Sequence, residues 1–497
     1  MVEDRSSETP TVNQLSAALT FSMRPGGAND KSPFHILEKE LSSPELLRFG
    51  TATECREVGM KGRFLTIVDL KWLLLVIWGF AWMPNLHART EDRNSAFTEV
   101  PFQQWLRDGP RAQLPWKIHI FPTQLSLHER LLVRIQVEVD GNELRKRCCD
   151  GRAVALVQIS DSQGRIYQNY VINSLKDAKP GINQYMLDLE WSAFVLPGDY
   201  QVVLAFHYSG RPEHNLALEK LHVGALRNDP LPESWRGLPQ VEFCDAASGE
   251  AMDDLFLPGV SGRLYLPVSS RRAVEVDVLE NLTPYRMEQR RPKLYKDRLS
   301  ILLPIFKTFG QLEIQNGALN MATLDFTRAR VTYEQDGMRA GDLNWGGLRD
   351  ALVANNVNVV DVHDIGEDTQ YAGYFREEMT KWLKRKKTED GSPKRVLIVI
   401  STGMQFGFSK LETILPPSDG DFVVYYLRCD YIPKGPTFQY RPGLFGSQEE
   451  PRAQELEQTD DGIGKMLKPL KPRTFGVNSA EGLRKTLATI LAEISKM

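Results

Sequence analysis

Apolar and polar residues alternate at a period of two over residues 114–226. The run from Leu131 to Val139 is the clearest, and it ends at an Asp140-Gly141 turn. Such alternation places one face of a strand in a core and the other in solvent. Several short strands at this spacing, with no helical pattern between them, predict an all-β domain, an immunoglobulin-like β-sandwich. The stretch Leu196 to Tyr200 is typical of the turn that enters a late strand of such sandwiches, where the tyrosine hydroxyl bonds back to the backbone.

Residues 271–497 carry a different pattern, in which continuous apolar strands alternate with helical stretches. Strands without polar alternation are typical of a sheet buried on both faces. The pattern predicts an α/β domain with a doubly wound, mostly parallel sheet in Rossmann-type layering, interrupted by an irregular insertion at 431–471. Asn478, with Glu481 three residues later, predicts the start of the last helix. The predicted strands are Ala273 to Leu279, Leu319 to Phe326, Ala329 to Tyr333, Val357 to Val362, Val396 to Ile400 and Phe422 to Leu427; the predicted helices are Leu294 to Phe309, Leu343 to Ala354, Tyr371 to Lys387 and Ser479 to Lys496.

A signal segment precedes both predicted domains. Met60 to Ala88 combines basic residues, an unbroken apolar run from Trp72 to Met83 and a small residue at its end. This is the three-part design of a secretory signal peptide, and we expect cleavage after Ala88. The apolar run is shorter than the roughly 20 residues that cross a bilayer as a helix, which favours cleavage over the alternative, an uncleaved signal anchor. We therefore expect export to the periplasm or the extracellular space, or anchoring in the inner membrane if the segment is retained.

The segments outside these units lack regular periodicity. Residues 1–59 are rich in Ser, Glu, Pro and Gly, and we interpret them either as disordered chain or as sequence upstream of a true start at Met60. Residues 89–113 and 227–270 are interpreted as linkers, because polar residues and turn formers dominate them.

Composition excludes several classes of function. The 61 Lys and Arg residues nearly balance the 64 Asp and Glu residues, for a formal net charge of −3. This balance argues against a nucleic-acid partner, since neutralising phosphates requires a strongly basic face. Five cysteines are too few and too scattered for a disulfide scaffold or a CxxC-type zinc site. After export, four of them would meet an oxidising compartment that permits one or two bridges, with the pairing left open: Cys148, Cys149, Cys244 and Cys429.

The order of predicted elements from Arg271 onward, together with the strand and turn Val396 to Gly403, resembles a von Willebrand factor A domain. The resemblance is to the divergent, secreted type of this family described in acidobacteria. It implies a protein-interaction module that binds a divalent cation at the carboxyl ends of the parallel strands. In the family, the ligands are an Asp-x-Ser-x-Ser motif after the first strand and an Asp after the fourth, hard oxygen donors that suit Mg²⁺.

This sequence departs from the family's ligand pattern at both places. Asn281, Thr283 and Tyr285 occupy the Asp, Ser and Ser positions, and Ser401-Thr402-Gly403 stands where the family has Ser-Asp-Gly. Because Mg²⁺ requires carboxylate charge, we expect no bound cation and no other cofactor, with Glu280 as the one nearby substitute anion. A ligand crevice at the strand ends still follows from the topology of an open parallel sheet.

Further polar residues end the predicted strand Val357 to Val362. A period of two puts Asp361 and His363 on the same side of it. We expect an exported, non-enzymatic protein-interaction module with a protein partner, whose contact with a membrane is limited to an uncleaved signal segment. Two alternatives stay open, a metal-dependent or acid/base hydrolase centred on Asp361 and His363, and a purely structural envelope component. The expected ligand-binding edge comprises Asn281, Thr283, Tyr285, Ser401, Thr402, Asp361, His363 and Asp364.

Overall fold

The computed structural model describes most of the chain from Ser95 to its last residue, and residues 96–497 belong to one compact unit. The architecture is mixed α/β with several sheets. Within the described part, no helix is long and apolar enough to cross a membrane. The upstream segment 1–59, the signal Met60 to Ala88, Cys148 and Cys149 lie outside the described residues. Those described are 95–143, 152–174, 186–209, 211–244, 262–283, 292–338, 342–354, 368–385, 393–404, 406, 413–414, 416, 422–430 and 461–497.

Two antiparallel sheets occupy the region predicted to be all-β. One has the strand order β1-β9-β8-β5-β6 and the other β10-β7-β4-β2, with β3 paired to β4. The strands are β1 (Arg111–Ala112), β2 (Trp116–Ile120), β3 (Gln124–Leu125), β4 (Leu131–Asp140), β5 (Arg152–Asp161), β6 (Ile166–Ser174), β7 (Met186–Val195), β8 (Gly198–Tyr208), β9 (His214–Val223) and β10 (Val241–Phe243).

Burial in these sheets follows the alternation in the sequence. Along β4, Val133, Ile135 and Val137 are each at most 1% exposed, whereas the residues between them are half-buried. Their side chains share one core cluster with apolar residues of β5 and β8 in the other sheet. The Tyr200 hydroxyl donates to the Leu196 carbonyl oxygen at 2.6 Å, which confirms the predicted bond back to the backbone.

The outer face of the first sheet is covered by two short helices, α1 (Ser95–Glu99) and α2 (Phe102–Asp108). Phe102 and Trp105 pack there against Leu156, Val203 and neighbouring apolar residues of β5, β8 and β9. Residues 89–113, interpreted from sequence as a polar linker, thus contain two helices that pack on the sheet. Two helices of this length present too few turns for a periodic pattern to stand out.

A six-stranded sheet organises the second half of the chain, in the order β15-β14-β12-β16-β17-β18. All its neighbouring pairs are parallel except β14 with β15, and a further pair, β11 with β13, lies beside it. The strands are β11 (Leu266–Val268), β12 (Val274–Asn281), β13 (Leu312–Ile314), β14 (Gly317–Asp325), β15 (Arg330–Met338), β16 (Lys394–Ser401), β17 (Phe422–Cys429) and β18 (Arg473–Val477), and the helices are α3 (Pro292–Phe309), α4 (Trp345–Ala354), α5 (Asp368–Lys384), α6 (Gly462–Leu467) and α7 (Ala480–Ile494).

The central strand β12 contributes side chains to two apolar core clusters, one on each face of the sheet. Val276 and Val278 belong to a cluster that includes apolar residues of α3 and α7 and extends into the antiparallel sheets. Leu279 belongs to a second cluster, with apolar residues of α5 and α6. The sequence of β12 nevertheless alternates from Val274 to Val278, because the second face also buries Asp277, which accepts from Arg395 Nη2 at 2.7 Å and from Asn320 Nδ2 at 2.8 Å.

Several element boundaries differ from the sequence-based expectation. The segment 227–270, interpreted as a linker, contributes β10, β11 and a turn of 3-10 helix at Pro232–Trp235. Helix α6 falls within the predicted insertion 431–471. The last helix is capped by Ser479, whose hydroxyl accepts from Gly482 N at 3.0 Å, so the predicted cap at Asn478 is wrong by one residue. The predicted strand Val357 to Val362 lies outside the described residues.

Replacing Tyr200 with Phe tests the turn before β8. The change removes the bond to Leu196 and the bond that Gln240 Nε2 donates to the hydroxyl at 2.7 Å. We expect the free energy of unfolding to fall by about 1–2 kcal/mol. Urea denaturation measures it, with Tyr167→Phe as the control, because that hydroxyl lies 3.4 Å from Asp161 Oδ2 and its loss should cost less than about 0.5 kcal/mol. Equal effects of the two variants would contradict the expectation.

Candidate functional site

The carboxyl ends of β12, β14, β16 and β17 meet at one edge of the six-stranded sheet, because these strands are parallel. This edge brings together three of the residues predicted for the ligand-binding site. Asn281 ends β12, Thr283 follows it, and Ser401 ends β16. All three are at most 2% exposed. Tyr285, Asp361, His363 and Asp364, predicted for the same edge, lie outside the described residues.

The amide of Asn281 connects the ends of the parallel strands β12 and β16. Its Nδ2 atom donates to Ser401 Oγ at 3.0 Å and to Met404 Sδ at 3.5 Å. Its Oδ1 atom accepts from Thr283 N at 3.0 Å, the local bond that turns the chain at the strand end. One side chain thus uses its donor across the sheet and its acceptor along the chain.

The two hydroxyl groups beside Asn281 are bonded to backbone atoms. Thr283 Oγ1 accepts from Phe326 N at 2.7 Å, which connects the ends of β12 and β14. Ser401 Oγ donates to the Thr402 carbonyl oxygen at 2.7 Å. The carbonyl oxygen of Thr283 accepts from Arg298 Nη2 on helix α3. Asn281, Thr283 and Ser401 therefore form a closed hydrogen-bonded set, which we call the edge lock. Thr402 itself is half-buried beside it.

Glu280 precedes the edge lock and is fully buried. Neither of its carboxyl oxygens has a hydrogen-bond partner among the described residues. Burial raises the pKa of this carboxyl well above its ordinary value, and the nearby Arg298 guanidinium offsets only part of the effect. The raised pKa disfavours the carboxylate anion that a cation ligand would supply. Within the described part of the chain, no group of three or more His, Cys, Asp or Glu side chains could hold a metal ion.

A charged set at the end of β17 escaped the sequence-based analysis. Arg428 Nε donates to Asp430 Oδ2 at 2.6 Å, and both side chains are about one-third exposed or less. Asp461 accepts from Tyr426 Oη at 3.1 Å and from Gly464 N at 3.2 Å, as the N-cap of α6. Burial raises the pKa of Asp461, an effect opposed by these bonds and by Arg428. The signal in the sequence was the Asp461-Gly462 pair at a helix start, which the predicted insertion obscured.

Comparison with known proteins finds no family model that matches the chain and no match among curated proteins. Three solved structures show what it is similar to. BatB, a conserved hypothetical protein from Bacteroides thetaiotaomicron, is 13% identical over 45% of this chain and 100% of its own, with a TM-score of 0.24. An aerotolerance-related membrane protein from Bacteroides fragilis is 12% identical over 44% of this chain and 100% of its own, with a TM-score of 0.25. A von Willebrand factor type A protein from Catenulispora acidiphila is 14% identical over 46% of this chain and 43% of its own, with a TM-score of 0.22. Each of these three matches covers less than half of this chain.

Ser401→Ala tests the structural part of the edge lock. The variant leaves the buried Asn281 Nδ2 group without its oxygen acceptor, so we expect the free energy of unfolding to fall by about 1–3 kcal/mol. Ser162→Ala, at an exposed turn position, is the control and should change it by less than about 0.5 kcal/mol. Urea denaturation of both variants gives the comparison. Wild-type stability in Ser401→Ala would mean that the bond contributes nothing.

Proposed function

We propose that this protein is an exported, non-enzymatic interaction protein that recognises a protein partner without a bound cation. One observation carries the proposal. At the strand ends where the resemblance places cation ligands, Asn281, Thr283 and Ser401 bond to one another and to the backbone, and each is buried. An amide and two hydroxyls supply no net charge to replace the hydration shell of a divalent ion.

The proposed fold assignment rests on the chain's own strand register. We interpret the six-stranded sheet as a doubly wound, von Willebrand A-like domain, because a central first strand has later strands added on either side and a single antiparallel strand at one end. We interpret the two antiparallel sheets as an immunoglobulin-like sandwich, supported by their shared core and by the Tyr200 bond. Both architectures are scaffolds that present loops, and a site must be argued from its residues.

The proposed contact surface is the carboxyl edge around the edge lock. Open α/β sheets bind their ligands outside the carboxyl ends of the strands. At this edge Thr402, Arg428 and Asp430 are partly exposed, so they are available to a partner. A polar surface that surrounds a rigid, hydrogen-bonded centre suits a protein partner, since complementary charges fix the partner's orientation. Export is proposed from the sequence of Met60 to Ala88.

Affinity capture from a cell-envelope extract tests the proposal. Purified protein is immobilised and captured proteins are identified with and without chelator. We expect the same partner in both conditions, because no carboxylate-bound cation contributes to recognition. Asp430→Lys should weaken capture at least about tenfold by reversing a charge at the edge, whereas Asp199→Lys, which makes the same change on the exposed start of β8, should leave it unchanged. Capture abolished by chelator, or equally reduced by both variants, would contradict the proposal.

Metal analysis separates this function from the hydrolase alternative. We expect purified protein dialysed against Mg²⁺, Mn²⁺ or Zn²⁺ to retain no stoichiometric metal, because burial raises the pKa of the nearest buried acid, Glu280, and so disfavours the anion that a cation needs. Inductively coupled plasma mass spectrometry measures the retained metal. Stoichiometric metal in the wild type that is lost in Glu280→Ala or Asp361→Ala would instead support the hydrolase.

A further inference from the structure

Arg484 of helix α7 is a charged side chain that is only 2% exposed. Its guanidinium donates two hydrogen bonds to Asp229, from Nε to Oδ1 at 2.6 Å and from Nη2 to Oδ2 at 2.8 Å. Nη2 also donates to the Leu231 carbonyl oxygen and to Ser234 Oγ, each at 2.8 Å. The last helix of the chain is thereby bonded to the segment that follows β9. We call Arg484, Asp229, Glu129, Ser234 and Trp235 the Arg484 cluster.

Glu129 is the second carboxyl group in this cluster, on the turn between β3 and β4. Its Oε2 atom accepts from Arg484 Nη1 at 3.1 Å, a longer bond than either bond to Asp229. Its Oε1 atom is buried and has no hydrogen-bond partner within the described part of the chain. Trp235 closes the cluster, with its ring centroid 4.8 Å from Arg484 Cζ and its Nε1 donating to the Glu129 carbonyl oxygen at 2.7 Å.

The backbone at Glu129 carries strain. Its φ is +58°, in the left-handed region that a residue with a long side chain rarely adopts. Glu129 N bonds to the Ser126 carbonyl oxygen and Ser126 N to that of Arg130, both at 2.9 Å, so the turn is tight. Glycine, asparagine or aspartate would fit this conformation at lower cost. A glutamate held here in spite of the strain points to a role for its side chain.

The charges of the Arg484 cluster balance only when one carboxyl group carries a proton. One guanidinium faces two carboxyl groups, and Glu481 on α7 adds a further negative charge nearby. Burial raises the pKa of Glu129 to about 8, and Arg484 and Asp229 act on it in opposite directions. Asp229 is less buried, and its bonds to Arg484 hold its pKa below the ordinary value in spite of partial desolvation. The bond lengths agree with an ionised Asp229 and a protonated Glu129, since the bonds from Arg484 to Asp229 are shorter than its bond to Glu129.

We propose that the Arg484 cluster is a proton-operated latch between helix α7 and the turns at Glu129 and Ser234. The latch is closed when Arg484 pairs with ionised Asp229 and Glu129 is protonated. It loosens when Glu129 ionises, because the cluster then holds a net negative charge away from water and Oε1 becomes a buried anion without a donor.

The sign of the pH effect follows from the two states of Glu129. The folded protein binds this proton more tightly than the unfolded chain does, in which the carboxyl has its ordinary pKa of 4.5. Its contribution to stability is therefore complete below about pH 4.5 and is lost as the pH rises to about 8. Between these limits one proton changes the unfolding equilibrium constant by at most about tenfold per pH unit.

Urea denaturation of the full chain across about pH 5–9 tests the latch. Glu129→Gln keeps the shape of the side chain and removes its titration. We expect the ratio of the wild-type to the Glu129→Gln unfolding constant to rise by close to tenfold per pH unit through neutral pH and to level off above about pH 8. Glu242→Gln is the matched control, because Glu242 is another carboxylate, with 9% of its side chain exposed, that pairs with an arginine, Arg130, beside the same turn. The ratio of the wild-type to the Glu242→Gln unfolding constant should not show this tenfold rise per pH unit.

Hydrogen exchange locates the effect. In the wild type we expect the amides of Ser234 and Leu483, which bond to Leu231 and Ser479, to exchange faster above about pH 8 after correction for intrinsic rates. A pH-independent ratio between wild type and Glu129→Gln overturns the proposal. If that variant does not fold, the carbon-13 resonance of the Glu129 carboxyl in the wild type decides, since titration below about pH 6 overturns the proposal and titration near pH 8 supports it.

Discussion

The burial of Arg484 is the constraint on which the rest of the structure depends. A guanidinium removed from water costs several kcal/mol unless its N–H groups are satisfied. Here that requirement fixes the position of two segments distant in sequence, since Asp229 lies 255 residues from Arg484 and Glu129 lies 355. The turn before β4, the segment after β9 and the last helix therefore hold one another in place, and the antiparallel and parallel sheets share a single core cluster behind them.

A second set of buried charges reinforces the same junction. Arg130 pairs with Glu242, whose carboxylate also accepts from Gly262 N, so the neighbour of Glu129 anchors β10 and the start of the next segment. Lys307 of α3 is half-buried nearby, and desolvation lowers its pKa, an effect that Glu242 opposes and Arg130 reinforces. Charges packed this closely specify their partners more than they add stability, because a wrong pairing would leave a buried charge uncompensated.

The sequence allowed the elements of each half to be predicted, since period two in β4 and continuous apolar runs in β16 and β17 report which faces are buried. The junction could not be predicted, because a lone Arg484 in an amphipathic helix is indistinguishable from a solvated surface residue. Strand β18 was not predicted, for a related reason. It is an edge strand with only Val477 fully buried, so it offers no apolar run to detect.

At the candidate site, parallel topology was enough to predict that Asn281, Thr283 and Ser401 share an edge, but their mutual bonds depend on side-chain geometry that no spacing encodes. The chemistry of asparagine accounts for the bonds of the edge lock. A carboxylate at this position would only accept hydrogen bonds. The amide donates to Ser401 while it accepts from Thr283 N, so one side chain satisfies both partners. The bonds of the edge lock therefore satisfy the donor and the acceptor of the Asn281 amide and join the ends of β12 and β16.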